Sequence, residues 1–328
     1  METTELAGQK VSRVALGTWA LGGSEWGAVP GDVAVATCLG AFERGINLID
    51  TAPIYGHGRA EEMVGKALSA HGRREDFFIA TKAGLSWNAS GVFTDSSESR
   101  LRAELEDSLR RLGTDSIDLY QVHWPDPLVP IAETAALLAQ FQREGKVRAL
   151  GVSNFSVTQM EEFRAVAPLA SNQPPYNLFE RQIDSEILPW CAANSVAVLT
   201  WSSLCRSLLT GRVQRGMKFD AGDIRNFDPK FQEPRFSQYM TAVDGLAAFA
   251  RERYDKSVLE LAARWVLDRP GISVALWGAR RPEQLDAVAG VMGWKLDAGA
   301  IAEIDRIVDQ SVTDPVGPEY LTPGVRRR

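Results

Sequence analysis

Four side chains in this sequence, Asp50, Tyr55, Lys82 and His123, are of the types needed to hand a proton to an oxygen. Asp50 closes the apolar run in NLIDTAPIYG with Tyr55 five residues on, Lys82 closes the run in IATKAG, and His123 closes the run in LYQVHW. A solvated charge is poorly placed at the end of such a run and an unpaired buried one is costly, so the runs are expected to bring these groups together. Lys82 beside the Tyr55 hydroxyl would favour the phenolate and lower the tyrosine pKa from about 10, while Asp50 would keep the lysine charged and in position. His123 near the same hydroxyl would orient or polarise a carbonyl oxygen. Such a set can protonate an alkoxide forming from C=O. Singly, Asp50 reads as a turn cap, Lys82 as a surface cation and His123 as a core histidine; their common place at the ends of apolar runs favours shared chemistry.

The elements that must position them alternate along the chain. Candidate strands are Val14–Thr18, Ile46–Ala52, Phe77–Ala83, Asp118–Trp124, Val147–Asn154, Pro168–Gln173, Val196–Ser203 and Ile272–Gly278, separated by stretches of helical period. In Ser99–Leu112, for example, Leu101, Leu105, Leu109 and Leu112 fall on one helical face and Gly113 follows as a stop. Runs that are apolar throughout, such as VAVLTW and ISVALWG, suit a parallel sheet covered by helices. Eight such units predict an α/β fold, a single-domain (β/α)8 TIM barrel spanning 1–328, whose reaction site lies at the C-terminal ends of the strands. An open doubly wound sheet is disfavoured because its first turn lacks G-x-G-x-x-G and reads ALGTWALGG instead. Met1–Arg13 reads as a leading segment, Arg212–Phe236 as a long lid loop after strand seven, and Asp314–Arg328 as a Pro-rich, loosely structured tail.

With 45% apolar and 24% charged residues over 328 positions, the chain has the balance of a soluble globule with a sizeable core. The formal charge is −6 and the one basic run is Arg326–Arg328, so nucleic acid is not an expected partner. Cys38, Cys191 and Cys205 are odd in number and lack C-x-x-C spacing, which suits a reducing compartment; the N-terminus METTELAGQKVSRV has no signal-peptide pattern, and no long uncharged apolar run occurs. A cytoplasmic location without membrane association is expected, and the sequence does not set the oligomeric state. A metal site from His57, His71 and His123 matches no compact ligand motif, and His71 in HGRRED reads as a solvated loop, so no metal is expected.

The tetrad in its surroundings resembles the aldo-keto reductase family. GINLIDTAPIYGHGRAEEMVGKAL, IDLYQVHWPDP, GVSNFS and SNQPPYNLFER resemble blocks of that family, and the likeness runs from about Leu16 to about Leu285. LGTWALGG and DPKFQEPRF place it nearest the bacterial branch that includes glyceraldehyde and small-sugar reductases. The resemblance implies hydride transfer between a nicotinamide dinucleotide and an aldehyde or ketone, with Tyr55 as the acid and Asp50, Lys82 and His123 completing the four. It implies cofactor contacts at Gly17, Thr18, Trp19 and Asp50, at Ser153, Asn154 and Gln173 toward the carboxamide, and at Trp201, where the family more often stacks a tyrosine on the nicotinamide. Ser202, Leu204, Arg206 and Gly278 would meet the pyrophosphate end, and Arg280, Arg281 and Gln284 the adenosine 2′-phosphate, for which a guanidinium fork is suited. NADPH is therefore expected over NADH. Cys205 and Ser207 depart from glycines common in related sequences, and Val288 from an adenine-binding asparagine.

Trp19, Trp87 and Trp124, with Tyr55 and His123, are expected to wall a narrow substrate pocket. Few charges lie in these segments, which suits neutral hydroxyaldehydes such as glyceraldehyde, or short sugars. Alternatives are NAD(P)+-linked oxidation of an aldose at C1 and a non-catalytic barrel that senses nicotinamide redox state. A hydrolase with paired carboxylates leaves Tyr55 and Lys82 unexplained.

Overall fold

In the structure, a computed structural model that describes residues 1–89 and 91–326, all eight expected strands form and close into a parallel barrel. In chain order they are Val14–Gly17, Leu48–Asp50, Phe78–Ala83, Ile117–Val122, Val147–Ser153, Ser171–Gln173, Ala197–Thr200 and Ile272–Gly278. Closure is made by the last strand on the first, with Leu276 opposite Ala15 and Trp277 opposite Leu16.

Strand side chains alternate between two apolar compartments, which is why the runs read as apolar throughout. Ala15, Leu48, Phe78, Ala80, Leu119, Ala149, Leu199, Val274 and Leu276 fill the barrel interior, while Val14, Leu16, Ile49, Ile79, Tyr120 and Val152 join the shell under the helices. The helix Glu98–Leu112 buries Leu101, Leu105 and Leu112 in that shell and stops at Gly113, whose φ of 64° is left-handed. Each such leucine contributes about 2 kcal/mol by leaving water.

The leading segment does more than precede the barrel. Thr3–Leu6 and Gln9–Ser12 form an antiparallel hairpin around Ala7 and Gly8, both at positive φ, as a two-residue turn requires. Leu6 and Val11 plug the bottom of the interior. The expectation of a loose tail is corrected as well: Glu319–Leu321 is a 3-10 turn, and Gly324–Val325 pairs in parallel with Gly91–Thr94, itself hairpinned to Leu85–Asn88. Arg326 bonds Asp95 at 2.8 Å, while Arg327 and Arg328 of the basic run lie outside the described residues.

The lid Arg212–Phe236 holds two 3-10 turns, Ile224–Asn226 and Pro229–Phe231. Phe219 and Phe231 pack edge to face at 5.5 Å, whereas Phe227 projects outward, 64% exposed. His71 ends a helix, packed against Phe42 and Phe77 and bonded to Asp76, so the expected solvated loop there is also corrected. Among the described residues no helix is long and apolar enough to cross a membrane, and none of their His, Cys, Asp and Glu form a group of three fit to hold a metal ion.

Candidate functional site

The interior alternation continues to the C-terminal mouth and decides which side chains meet there. Stepping by two from Leu48, from Phe78 and Ala80, and from Leu119 gives Asp50, Lys82, and then Gln121 and His123. The same parity from Ala149, Leu199 and Val274 gives Ser153, Trp201 and Gly278. Gly151 is the interior step before Ser153; a Cβ there would come within 2.4 Å of Ser171 Oγ and 2.9 Å of Gln121 Cγ, so this layer admits only glycine on that strand.

Lys82 Nζ is the hub. It donates to Asp50 Oδ1 at 2.6 Å, to the Thr51 carbonyl at 3.0 Å and to Tyr55 Oη at 3.1 Å. Asp50 Oδ2 accepts from Gln173 Nε2 at 2.8 Å and more distantly from Gln121. Lys82 lies fully buried beneath a cavity of about 580 Å³ and reaches it through Tyr55, whose ring meets that of His123 edge to face at 5.8 Å. Burial lowers the lysine's proton affinity, but Asp50 and Tyr55 outweigh it and hold its pKa above the ordinary value. Burial, with Lys82 adding, pushes His123 well below its usual range and keeps the imidazole neutral.

For Tyr55 the expected direction is overturned. Burial raises the phenol pKa by more than Lys82 lowers it, with the Asp50 charge adding to the rise. The hydroxyl keeps its proton across neutral pH and has an ammonium in contact for the moment that proton leaves.

The other side chains singled out in the sequence divide into three groups. Gly17, Trp19, Trp124, Ser153, Asn154 and Gln173 line the cavity, as do Trp201, Ser202, Leu204, Gly278, Arg280 and Gln284. Several are linked: Ser153 Oγ donates to the Gln173 carbonyl at 2.6 Å, Asn154 Nδ2 to the His123 carbonyl at 3.0 Å, and Trp201 Nε1 to Asn154 Oδ1 at 3.0 Å. Two do not reach the cavity. Thr18 spends its amide and hydroxyl on the Asp50 carbonyl, and Trp87 stacks on His57 at 4.7 Å with the Arg100 guanidinium over the Trp87 ring at 5.4 Å. Arg281 is exposed outside the cavity lining, its guanidinium without a partner among the described residues, while Arg280 beside it donates to the Gly27 and Ala28 carbonyls.

Arg206 requires a different correction. It reaches the cavity wall, but its Nε donates to Asp228 at 2.6 Å, Nη1 to Ser202 Oγ at 2.6 Å and Nη2 to Glu180. Lys230 bridges the same Glu180 at 2.7 Å and donates to the Gly317 carbonyl at 3.2 Å. The guanidinium is thus committed to two carboxylates and a hydroxyl and fastens the loop after strand seven to the lid, while Lys230 ties the same cluster to the tail. Burial alone would raise the Glu180 pKa; Arg206 and Lys230 together hold it below the ordinary value. Sequence reading missed Glu180, Asp228 and Lys230 as partners, and also Gln121, Glu25, Trp26 and Tyr320 as parts of the site. Cys205 is buried with its thiol pushed up to about 12, consistent with a packing role.

The loop that carries Arg206 is strained. Cys205, Arg206 and Ser207 have φ of 46°, 49° and 75° in succession, a left-handed run that favours glycine. The Ser207 carbonyl bonds Thr210, a contact that glycine would keep. Ser207→Gly is expected to stabilise the fold by about 0.5–1 kcal/mol, read as a rise in Tm, because relief of left-handed strain exceeds the added chain entropy. A fall in Tm would contradict this.

The aldo/keto reductase family profile matches residues 13–309. Over 328 residues the chain is 50% identical to "Aldo-keto reductase YhdN" of Bacillus subtilis (strain 168), covering 99% of each. It is 34% identical to "NADH-specific methylglyoxal reductase" of Escherichia coli (strain K12), over 84% of this chain and 88% of the relative. Its fold is similar to that of the glycerol dehydrogenase AKR11B4 from Gluconobacter oxydans, with a TM-score of 0.88 and 48% identity over 96% of this chain and 98% of that one.

Proposed function

The chain belongs to the aldo/keto reductase family, whose members are oxidoreductases that use nicotinamide cofactors, and on that premise we propose that it reduces small neutral aldehydes and ketones, hydroxyaldehydes such as glyceraldehyde and short sugars among them, with NADPH as the preferred cofactor. The observation that carries this reading is the contact of Lys82 Nζ with Tyr55 Oη at 3.1 Å and Asp50 at 2.6 Å under an open cavity.

The residues present fit a dinucleotide. A Cβ at Gly278 would meet nothing within 4 Å, so backbone is open to close approach there, and Arg280 Nε is a buried donor without a hydrogen-bond partner. Ser153, Asn154, Gln173 and Trp201 would hold the nicotinamide end, and Arg280, Arg281 and Gln284 the adenosine phosphate. When bound, the cofactor supplies the hydride. The chain's own groups do the rest. Tyr55 Oη gives its proton to the carbonyl oxygen, Lys82 stabilises the phenolate left behind, Asp50 keeps Lys82 charged, and neutral His123 orients the oxygen. The lid Arg212–Phe236 would close over the cofactor.

Arg281 tests the cofactor preference. Its free guanidinium has no other partner to lose, so Arg281→Ala is expected to weaken NADPH by roughly tenfold or more and NADH little, since a charge-assisted pair to a phosphate is worth about 1.5–3 kcal/mol. Equal weakening of both would move the phosphate contact elsewhere. The reaction itself is tested by following NADPH and NADH consumption by the purified protein with DL-glyceraldehyde and a panel of aldehydes and short sugars. The 48% identical glycerol dehydrogenase favours a second reading, oxidation of a polyol or aldose by the same groups in reverse, so NADP+ and NAD+ reduction with glycerol and aldoses belong in the same assay.

A further inference from the structure

Glu25 sits in the loop after the first barrel strand, half-buried in the cavity wall, and no step above uses it. Its Oε2 accepts from Trp19 Nε1 at 3.1 Å and from Ser24 Oγ at 2.5 Å, and the Trp19 ring lies stacked 6.2 Å from the Tyr55 ring. The carboxylate is therefore one indole away from the reacting phenol. Its charge is felt there, adding to the rise in the Tyr55 pKa that burial dominates. Among the described residues it has no cationic partner, although cations stand elsewhere along the same cavity: Arg225 is paired with Asp223, and Arg280 points to the Gly27 and Ala28 carbonyls. The loop is fixed from the lid side, where Ile224 N donates to the Glu25 carbonyl at 2.9 Å. The remaining wall near Tyr55 is apolar, made by Trp26, Ile54, Leu85 and Trp124.

An unpaired carboxylate set in an apolar wall needs a function beyond holding Trp19, because a neutral glutamine would accept the same indole hydrogen bond. We propose that Glu25 is a specificity-determining residue that places an uncompensated negative charge beside Tyr55, disfavouring carbonyl compounds that carry a carboxylate and favouring neutral ones whose hydroxyls can donate to it. This rests on the reading that a carbonyl is reduced at Tyr55, and names the class of compound that the site rejects. Like charges a few ångströms apart at a half-buried site interact more strongly than in bulk water, and because the cavity is open to solvent, salt screens them in part.

The test compares 4-carboxybenzaldehyde with its methyl ester, the same aldehyde with and without the charge. Wild type is expected to show a higher kcat/KM for the ester, and Glu25→Gln to shift the acid-to-ester ratio toward the acid by about tenfold or more. Raising the salt concentration should narrow the ratio in wild type and leave it level in the variant. Binding of benzoate against benzamide to the NADP+-loaded protein, read by tryptophan fluorescence, gives the same comparison without turnover. A ratio that is the same in wild type and Glu25→Gln, in rate and in binding, overturns the proposal and leaves Glu25 as a support for Trp19. If wild type reduces neither aldehyde, the reductase reading fails, while the benzoate and benzamide affinities still decide the role of Glu25.

Discussion

Tyr55→Phe is expected to lower kcat/KM for carbonyl reduction by about a hundredfold to ten-thousandfold, the range set by loss of a positioned general acid. The ring that stays behind keeps its contacts with Trp19 and His123, and Lys82 keeps Asp50 and the Thr51 carbonyl, so the fold and the cavity should survive. Cofactor binding should survive as well, measurable by quenching of tryptophan fluorescence, since Trp19 and Trp201 line the same cavity. Weakened cofactor binding with a proportionate loss of rate would make Tyr55 a cofactor support. Undiminished turnover would remove it from the chemistry.

The largest effect on stability is expected at Arg206. Its side chain is 1% exposed and bonds two carboxylates that are fully buried. Arg206→Met keeps most of the volume and leaves Glu180 and Asp228 with Lys230 as their one shared cation. Breaking a buried pair from one side costs about 3–5 kcal/mol, because the charge left behind is not rehydrated. For a chain of this size that corresponds to a fall in Tm on the order of 10 °C. Thermal unfolding followed by circular dichroism reads it directly. Unchanged Tm with NADPH affinity reduced tenfold would instead return Arg206 to the pyrophosphate role expected from the sequence.

The contrast between these two residues shows what could be read from the sequence and why. Asp50, Lys82 and His123 were legible because a strand alternates with period two: a polar side chain that ends an interior-facing series has nowhere to point except the barrel mouth. Tyr55 followed from its nearness to Asp50, but the direction of its pKa did not, since that is a sum of burial and charge that depends on depth beneath the surface. Loops have no such period. Trp87 was placed by its position after strand three, and the structure turns it onto His57; Arg281 was placed by the family resemblance, and the structure leaves its side chain exposed. Arg206 was assigned by the resemblance, from its place after strand seven and its charge; its partners Glu180 and Asp228 come from different loops, and nothing local in the sequence marks that they converge. The tail misled by composition, because its prolines suggested looseness while Gly324–Val325 finds a strand edge more than two hundred residues earlier. The eight strands, by contrast, were recovered with shifts of at most a few residues at their ends.

The central claim, that a carbonyl carbon takes hydride above Tyr55, is most directly tested by incubating the protein with glyceraldehyde and NADPH deuterated at the transferable C4 position, then examining the alcohol formed by mass spectrometry. Carbonyl reduction at this site predicts glycerol carrying a single deuterium on carbon in the wild type and almost none in Tyr55→Phe. Tight binding of the cofactor with no deuterium in any product, in either direction of reaction and across the aldehyde panel, would contradict it and leave a barrel that binds nicotinamide without turning it over.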